Sequence, residues 1–546
     1  MKKSTCFWKV AIAVLLFSTI NGPIKAKDTL QTRINPVNFY LDGKKMPGGW
    51  HIMVGEKIDP LDTKAREIMF VSDIDSIKIV LEEWQSKDFS IINEKGERAP
   101  VRVTRVADNI YEKPNPKFIK RASNGKLSRE QAEFDIRALV YGLSEIHPDI
   151  FSSIRQVDFF RAINEAIESL PDSVTTMELY RRTAPIVAMI GDGHTNLNFP
   201  FNDVFTRELK RMPFLVDVLS DKSIICRASL DSIIPSGARI LSINGMSAEE
   251  MVNAMLPYVA GEREHFKLSR VDHNFPALRH MLFPADAFEV VFLPAGAKKQ
   301  QKVTYQATLF EEVKRRIPAL TNTEDKPPYS FEIDKAKNVA IMDFREFSNV
   351  SQMERFADSL FQCLRNDNIG NLIIDLRNNG GGNSTVGDVL LRYISPKPFK
   401  QMDKALVRIS PLTIKLTGDN TLTPGFFFYE TSPEKYIVPR KNEEGHYNGH
   451  VILLTSNNTF SSAGSFAWAF KECGIGTVIG EETGGMNVCY GDILSYRLPV
   501  SGLVCSVSYK RFWQLHADEN DIHGTIPHVA VPAAQALDKA MEIIRR

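Results

Sequence analysis

The stretch LLTSNNTFSSAGSFAWAFKECG, residues 453–474, begins as an apolar run, breaks into Ser, Asn and Thr, and resumes as a small-residue helix. Ser461 and Ser462 sit at the break. A hydroxyl there has two uses. It caps the helix by accepting a hydrogen bond from a first-turn amide, or it acts as a nucleophile beside free N–H groups and the positive end of the helix dipole. Upstream, DLRNNGGGNST places Gly380, Gly381 and Gly382 directly after a strand-like run. Their unshielded amides read either as oxyanion donors or as a tight turn. Neither G-x-x-x-x-G-K-[ST] nor G-x-G-x-x-G fits this run, which argues against a phosphate loop. No G-x-S-x-G surrounds a serine, which argues against an α/β-hydrolase elbow. A Ser-x-x-Lys spacing at Ser123 and Lys126 falls in a polar linker and carries no further support.

These residues need elements to hold them. From about residue 330 the chain alternates apolar runs of strand length with helix-length segments: NVAIMDF, SQMERFADSLFQCL, NLIIDLRNNGGG, STVGDVLLRYI, HVILLTS, SSAGSFAWAFKECG, TVIGEETGG. That alternation predicts an α/β fold with a parallel sheet and crossover helices. Ser461 then follows the C-terminal end of a strand, where open α/β sheets place their ligands. Ahead of this α/β segment, assigned to residues 301–546, three others are expected. Residues 27–115 mix short β-branched runs with turn residues and read as a small β domain. Residues 116–205 carry helical spacing behind a Ser128/Gln131 capping box. Residues 206–300 read as a compact β-rich module, with a helix capped by Ser247.

Composition bounds the rest. Hydrophobic residues make up 43% and charged residues 24% of the 546, ordinary for a protein with several buried cores. Residues 1–26 combine two leading lysines, an apolar run from Val10 to Phe17 too short to span a bilayer, and Ala26; they read as a cleaved secretory signal. Export to the periplasm or the exterior follows, and no later membrane span is expected. Removing that segment takes four of the 67 basic residues and none of the 66 acidic ones, so the remaining chain is near neutral and offers no electrostatic case for nucleic acid. Five cysteines remain, scattered without C-x-x-C spacing, and an odd count cannot be fully paired, so no disulfide framework is expected. No H-E-x-x-H occurs, and His446 and His450 lie in a glycine-containing loop, so no metal site is expected.

Taken together, NLIIDLRNNGGG, LLTSNNTFSSAGSFAWAF and VIGEETGG resemble the consecutive signatures of the carboxyl-terminal-processing, or tail-specific, peptidase family. The resemblance covers about residues 128–546 and puts Ser461 at the nucleophile position. The run Ser461-Ser462-Ala463-Gly464 has glycine where the family motif has an acid. Met486 stands where members with a Ser–Lys dyad carry their lysine. The chain is therefore similar to the tricorn-core-like branch, which uses Ser, His and a carboxylate, and AMIGDGHTNLNF resembles that branch's histidine signature at His194. ENDIHGTIPHVAVP resembles its acid-bearing segment; anchoring on Gly524 and Pro527 puts Asp521 at the acid's position, with Glu519 as the alternative. PSGARILSINGMSAEEMVNAML looks like the second half of a PDZ-like domain, although the carboxylate-binding Gly-Leu-Gly loop is not visible.

The resemblance implies a serine endopeptidase acting on peptide or protein substrates without a cofactor. Ser461 would attack the carbonyl, His194 would take its proton, Asp521 would hold the imidazole, and the amides of Gly381 and Ser462 would form the oxyanion hole. The rival reading is a non-catalytic protein binding an apolar ligand on the same fold, with Phe460, Phe466, Trp468 and Phe470 lining the pocket.

Overall fold

The computed structural model describes strands at 39–41, 51–57, 66–71, 76–81, 86–92 and 98–105, then residue 96, residues 110–112 and residues 114–545 apart from 202–204, 207, 318–325 and 431–434. The signal-peptide reading of residues 1–26 falls outside the described residues. The chain divides into two compact units, one drawn from residues 1–144, 154–175 and 498–502, the other from 145–153, 176–497 and 503–546.

In the first unit, Phe39–Leu41, Arg98–Arg105 and Ser86–Ile92 form one antiparallel sheet, and His51–Lys57, Arg66–Val71 and Ser76–Leu81 form another. The expected capping box opens the helix Arg129–Ile146: the Ser128 amide donates to Gln131 Oε1 at 3.0 Å and the Gln131 amide to Ser128 Oγ at 3.2 Å. Two first-turn donors are thereby satisfied at once.

The second unit is built on a six-stranded sheet in the order Tyr329–Asp334, Val339–Phe344, Asn371–Asp375, His450–Thr455, Thr477–Gly480, Val529–Ala530. The last five strands are parallel; the first is an antiparallel edge strand. Both faces are covered, which is why the strands read as unbroken apolar runs rather than alternating ones. Leu372, Ile374, Val451 and Leu453 point into one core with the helices Val350–Asn366, Ser384–Ile394 and Ser462–Glu472. Ile373, Ile452 and Leu454 point into the other, against the helix Ala536–Ile544.

Two features depart from the sequence reading. The segment 301–546 also holds an antiparallel sheet, ordered Gly425–Glu430, Met402–Ile409, Val504–Gln514, Val488–Arg497, to which Asn196–Leu197 adds by pairing with Val504–Gln514. Two of its strands, Gly425–Glu430 and Met402–Ile409, are largely half-exposed or exposed, and their pairing is long-range, so no strand–helix alternation marks them. The segment 206–300 forms the expected antiparallel sheet, from Phe214–Val218 to Ala287–Leu293 and on to Gln301–Gln306, but it also contains the 19-residue helix Glu264–Leu282. Pro276 lies inside that helix, where sequence rules place a break.

The two faces of one strand give a direct check. Leu453→Ala should cost about 2–5 kcal/mol in chemical denaturation, because it empties a fully buried position. His450→Ala, at the exposed start of the same strand, should stay within about 0.5 kcal/mol.

Candidate active site

Ser461 sits between the strand His450–Thr455 and the helix Ser462–Glu472. The loop between them is tied to the neighbouring strand's exit. Thr459 Oγ1 donates to the Leu376 carbonyl at 2.9 Å, Ser456 Oγ to that of Arg377 at 2.5 Å, and the Phe460 amide to that of Asn379 at 3.2 Å. Held from both sides, Ser461 adopts φ 55° and ψ −128°, a left-handed conformation that L residues avoid at a cost of about 1–3 kcal/mol. Its side chain makes no capping hydrogen bond. Instead Ser461 Oγ lies 2.9 Å from His194 Nε2.

His194 arrives from the loop between the helix Thr176–Ala188 and the strand Asn196–Leu197. Asp192, fully buried, organises that loop. Its Oδ1 accepts from the His194 amide at 2.9 Å and lies 3.8 Å from His194 Nδ1. Its Oδ2 accepts from Ser508 Oγ at 2.6 Å and faces His147 Nε2 at 3.3 Å. The Ser508 amide donates to Thr195 Oγ1 at 3.0 Å, so the strand Val504–Gln514 grips the loop twice. Burial pushes the Asp192 carboxyl upward, but the facing His147 and His194 side chains outweigh it and hold the group well below the usual carboxylate range. Asp192 is an anion.

A second carboxyl stands beside it. Glu262 Oε1 accepts from the Gly193 amide at 3.0 Å, while Glu262 Oε2 and His194 Nδ1 are both buried without a hydrogen-bond partner among the described residues. Burial and the Asp192 charge push the Glu262 carboxyl up to about 7. Gly193 is required here: a Cβ would come within 2.7 Å of Phe266 Cε1 and 2.9 Å of both Glu262 Oε2 and Phe460 Cζ. The His194 ring is further fixed against Phe460, ring centres 4.4 Å apart, and Phe460 stacks on Phe266 at 4.3 Å.

The sequence-derived acids lie elsewhere. Asp521 Oδ1 accepts from the His523 amide at 2.9 Å and its carbonyl from Asn487 Nδ2 at 2.6 Å. Glu519 accepts from Trp513 Nε1 at 2.8 Å and from Arg511 at 3.1 Å. Among the described residues neither is bonded to the His194 ring, so the assignment of the orienting acid to this segment is corrected. The anchor Gly524 does reach the site, since it lines the Ser461 cleft with Thr525. The segment before it, however, turns away, held by Glu482 at the Gly524 amide and the His523 ring, both at 3.1 Å. Asp192 lies inside the very motif that names His194; Glu262 has no local signal and is brought in by the start of the unforeseen helix.

The expected oxyanion donors divide. The Ser462 amide is the first of its helix and has no preceding turn to bond; its side chain donates to the Gly382 carbonyl at 2.6 Å. The Gly381 amide donates to Asn379 Oδ1 at 2.9 Å and so is not free. Gly381 instead gives room: at φ 102°, a Cβ there would lie 2.7 Å from Ser461 Cβ and 2.8 Å from the Ser462 nitrogen. The cleft over Ser461 is lined by His194, Phe460, Met486, Cys489 and Gln514, among others, with no lysine. Lys471 reaches out to the Ile526 carbonyl at 2.8 Å.

The apolar-pocket reading also meets a correction. Phe466 and Phe470 are buried in the sheet–helix core and Trp468 packs against it, while Phe460 supports the histidine. As a cation site, Asp192, His194 and Glu262 bring ligand atoms within 4.8 Å of one another. Both Asp192 oxygens and Glu262 Oε1 already accept hydrogen bonds, from the His194 amide, Ser508 Oγ and the Gly193 amide. The five cysteines of the described residues are free, and no helix among those residues is long and apolar enough to cross a membrane.

Residues 338–531 match the family described as Peptidase family S41. Similar solved structures include mature CPAF, 14% identical over 76% of this chain and 96% of that one with a TM-score of 0.55. Mature CPAF complexed with lactacystin is likewise 14% identical, over 76% and 98%, with a TM-score of 0.56. A photosystem II D1 C-terminal processing protease aligns at 14% identity over 77% and 97%, with a TM-score of 0.40. At such identities the CPAF likeness shows the fold, and the family match adds the chemistry. Residues 338–531 thus match a peptidase family S41 domain, and that match supports a serine-type peptidase.

Proposed function

We propose that this chain is an exported endopeptidase of the tricorn-core-like branch that cleaves peptide bonds by acyl transfer through Ser461, with His194 as general base. The observation that carries the reading is the 2.9 Å contact between His194 Nε2 and Ser461 Oγ at a backbone conformation that turns the hydroxyl away from capping. Ser461 Oγ attacks the scissile carbonyl and its proton passes to Nε2. The oxyanion rests on the Ser462 amide and the helix N-terminus. As the C–N bond breaks, the imidazolium returns the proton to the leaving amine, and water then hydrolyses the acyl-Ser461 ester by the same route. Export rests on the opening 26 residues, and a PDZ-like role for the sheet of residues 206–300 rests on its strand–turn–helix sequence.

The carboxylate that stabilises the imidazolium is, on this reading, Asp192, which is ionised and 3.8 Å from Nδ1. Ser461→Ala and His194→Ala should each abolish peptide hydrolysis. Asp192→Asn should lower turnover by about 10³–10⁴ while far-ultraviolet dichroism stays unchanged. Asp521→Asn and Glu519→Gln should remain within a few fold of wild type. A dead Asp521→Asn enzyme beside an active Asp192→Asn enzyme would return the role to the C-terminal segment.

The strain at Ser461 gives a second expectation. Ser461→Gly, equally inactive, should be about 1–2 kcal/mol more stable than Ser461→Ala, because glycine accepts φ 55° without penalty. Equal stability would mean that the junction stores no strain.

Glu262 gives a third. Its carboxyl is raised from 4.5 to about 7, so between those values the folded chain holds a proton that the unfolded chain has released. The stabilisation is complete below about pH 4.5 and is lost as pH rises through 7. Glu262→Gln should therefore match wild type near pH 5 and melt a few degrees higher near pH 8. A variant that loses stability equally at both pH values would contradict the raised carboxyl.

A further inference from the structure

Beside the Ser461 cleft is a cavity of about 450 Å³ that the acyl-transfer chemistry does not use. The helix Glu264–Leu282 supplies one wall with Arg270, Asn274 and Leu278, spaced at four residues and so on a single face. Aromatic rings from Tyr180, Phe199 and Tyr258 supply much of the other. The cavity adjoins the candidate base. Asn196, on its lining, donates through Nδ2 to the His194 carbonyl at 3.3 Å, and Arg270 lies over Phe460, 5.3 Å from the ring that supports the His194 imidazole.

Arg270 is the cavity's unusual member. Its guanidinium lies 4.6 Å above the Phe266 ring, and its Nε is buried without a hydrogen-bond partner. Among the described residues it has no ion pair and no side-chain hydrogen bond of its own. Asp192 and Glu262 attract it through space, yet neither reaches salt-bridge distance. A guanidinium stays charged in such a setting and presents five N–H donors in a planar fork. Its Cζ lies over two rings, 4.6 Å from Phe266 and 5.3 Å from Phe460, and a carboxylate is the group that meets such a fork with two parallel hydrogen bonds.

We propose that this cavity is a substrate subsite in which Arg270 pairs with a carboxylate of the bound peptide, while the aromatic wall takes the adjoining apolar surface. The proposal rests on the peptidase reading of Ser461, and it is tested so that the two can fail separately. Two sources supply the group, an acidic side chain or a free C-terminus.

The test measures binding, with Ser461→Ala as the background so that no turnover is needed. The probes are fluorescein-labelled nonapeptides of Ala, Phe and Ser. One set is C-terminally amidated and carries a single Glu at each position in turn, each with its Gln twin; another pair is neutral and differs only in a free or amidated C-terminus. At least one carboxylate peptide should bind about 10–100-fold tighter than its uncharged twin, as expected for a desolvated charge-assisted pair. That advantage should vanish in Ser461→Ala/Arg270→Gln and return in part with Arg270→Lys, which restores charge without the fork. An advantage confined to the Glu peptides assigns the site to a side chain, and one confined to the free terminus assigns it to the peptide end. No carboxylate advantage in any pair, or one that survives Arg270→Gln in a variant of unchanged melting temperature, overturns the proposal. Failure of the peptidase reading would show elsewhere, as hydrolysis that persists in Ser461→Ala.

Discussion

The site depends on one buried anion. Asp192 is taken out of water, which costs several kcal/mol for an unpaired carboxylate, and every partner that offsets this cost is also a positioning contact. Ser508 brings the strand Val504–Gln514, His147 brings a second imidazole at 3.3 Å, and the His194 amide fixes the residue that faces Ser461. Because a buried charge tolerates few alternative arrangements, the loop carrying His194 has little freedom to wander. The glycine at 193 follows from the same crowding, since Phe266, Phe460 and Glu262 close on it from the other side.

The opposite half of the site is set by backbone rather than charge. Two adjacent parallel strands, Asn371–Asp375 and His450–Thr455, end side by side, and their exit loops are cross-linked by Thr459, Ser456 and Phe460. That double hold is what permits Ser461 a left-handed conformation and lets Gly381 pack directly against it. Strain concentrated at one residue of a rigid junction is a familiar feature of reactive groups, and here it aims the hydroxyl at the histidine instead of at its own helix. The two halves meet through Phe460, which belongs to the serine's loop and packs against the imidazole.

How much of this is legible in the sequence follows from how local each signal is. The parallel sheet is legible because strands buried on both faces leave continuous apolar runs such as NLIID and HVILLT. The antiparallel sheet beside it is not, because half-exposed strands such as Met402–Ile409 leave no run and their pairing is long-range. Ser461 and His194 are named by compact motifs, and the structure puts their side chains in contact. The acid is harder, because a carboxylate's role depends on what surrounds it in space. Asp521 stands at the expected spacing from Gly524 and yet serves its own turn, whereas Asp192 is two residues from the histidine and Glu262 lies just ahead of a helix that Pro276 disguises. Gly381 shows the same limit: the run of glycines is visible, but only the fold reveals that Asn379 has already taken the amide.

Activation of Ser461 as a nucleophile by His194 is read out by active-site labelling with a fluorophosphonate followed by peptide mapping. A single adduct on Ser461 is expected in the wild-type chain, and a labelling rate reduced by orders of magnitude in His194→Ala, whose fold remains intact. An adduct on Ser462 or Ser465, or labelling of Ser461 that proceeds unchanged without His194, would contradict that activation.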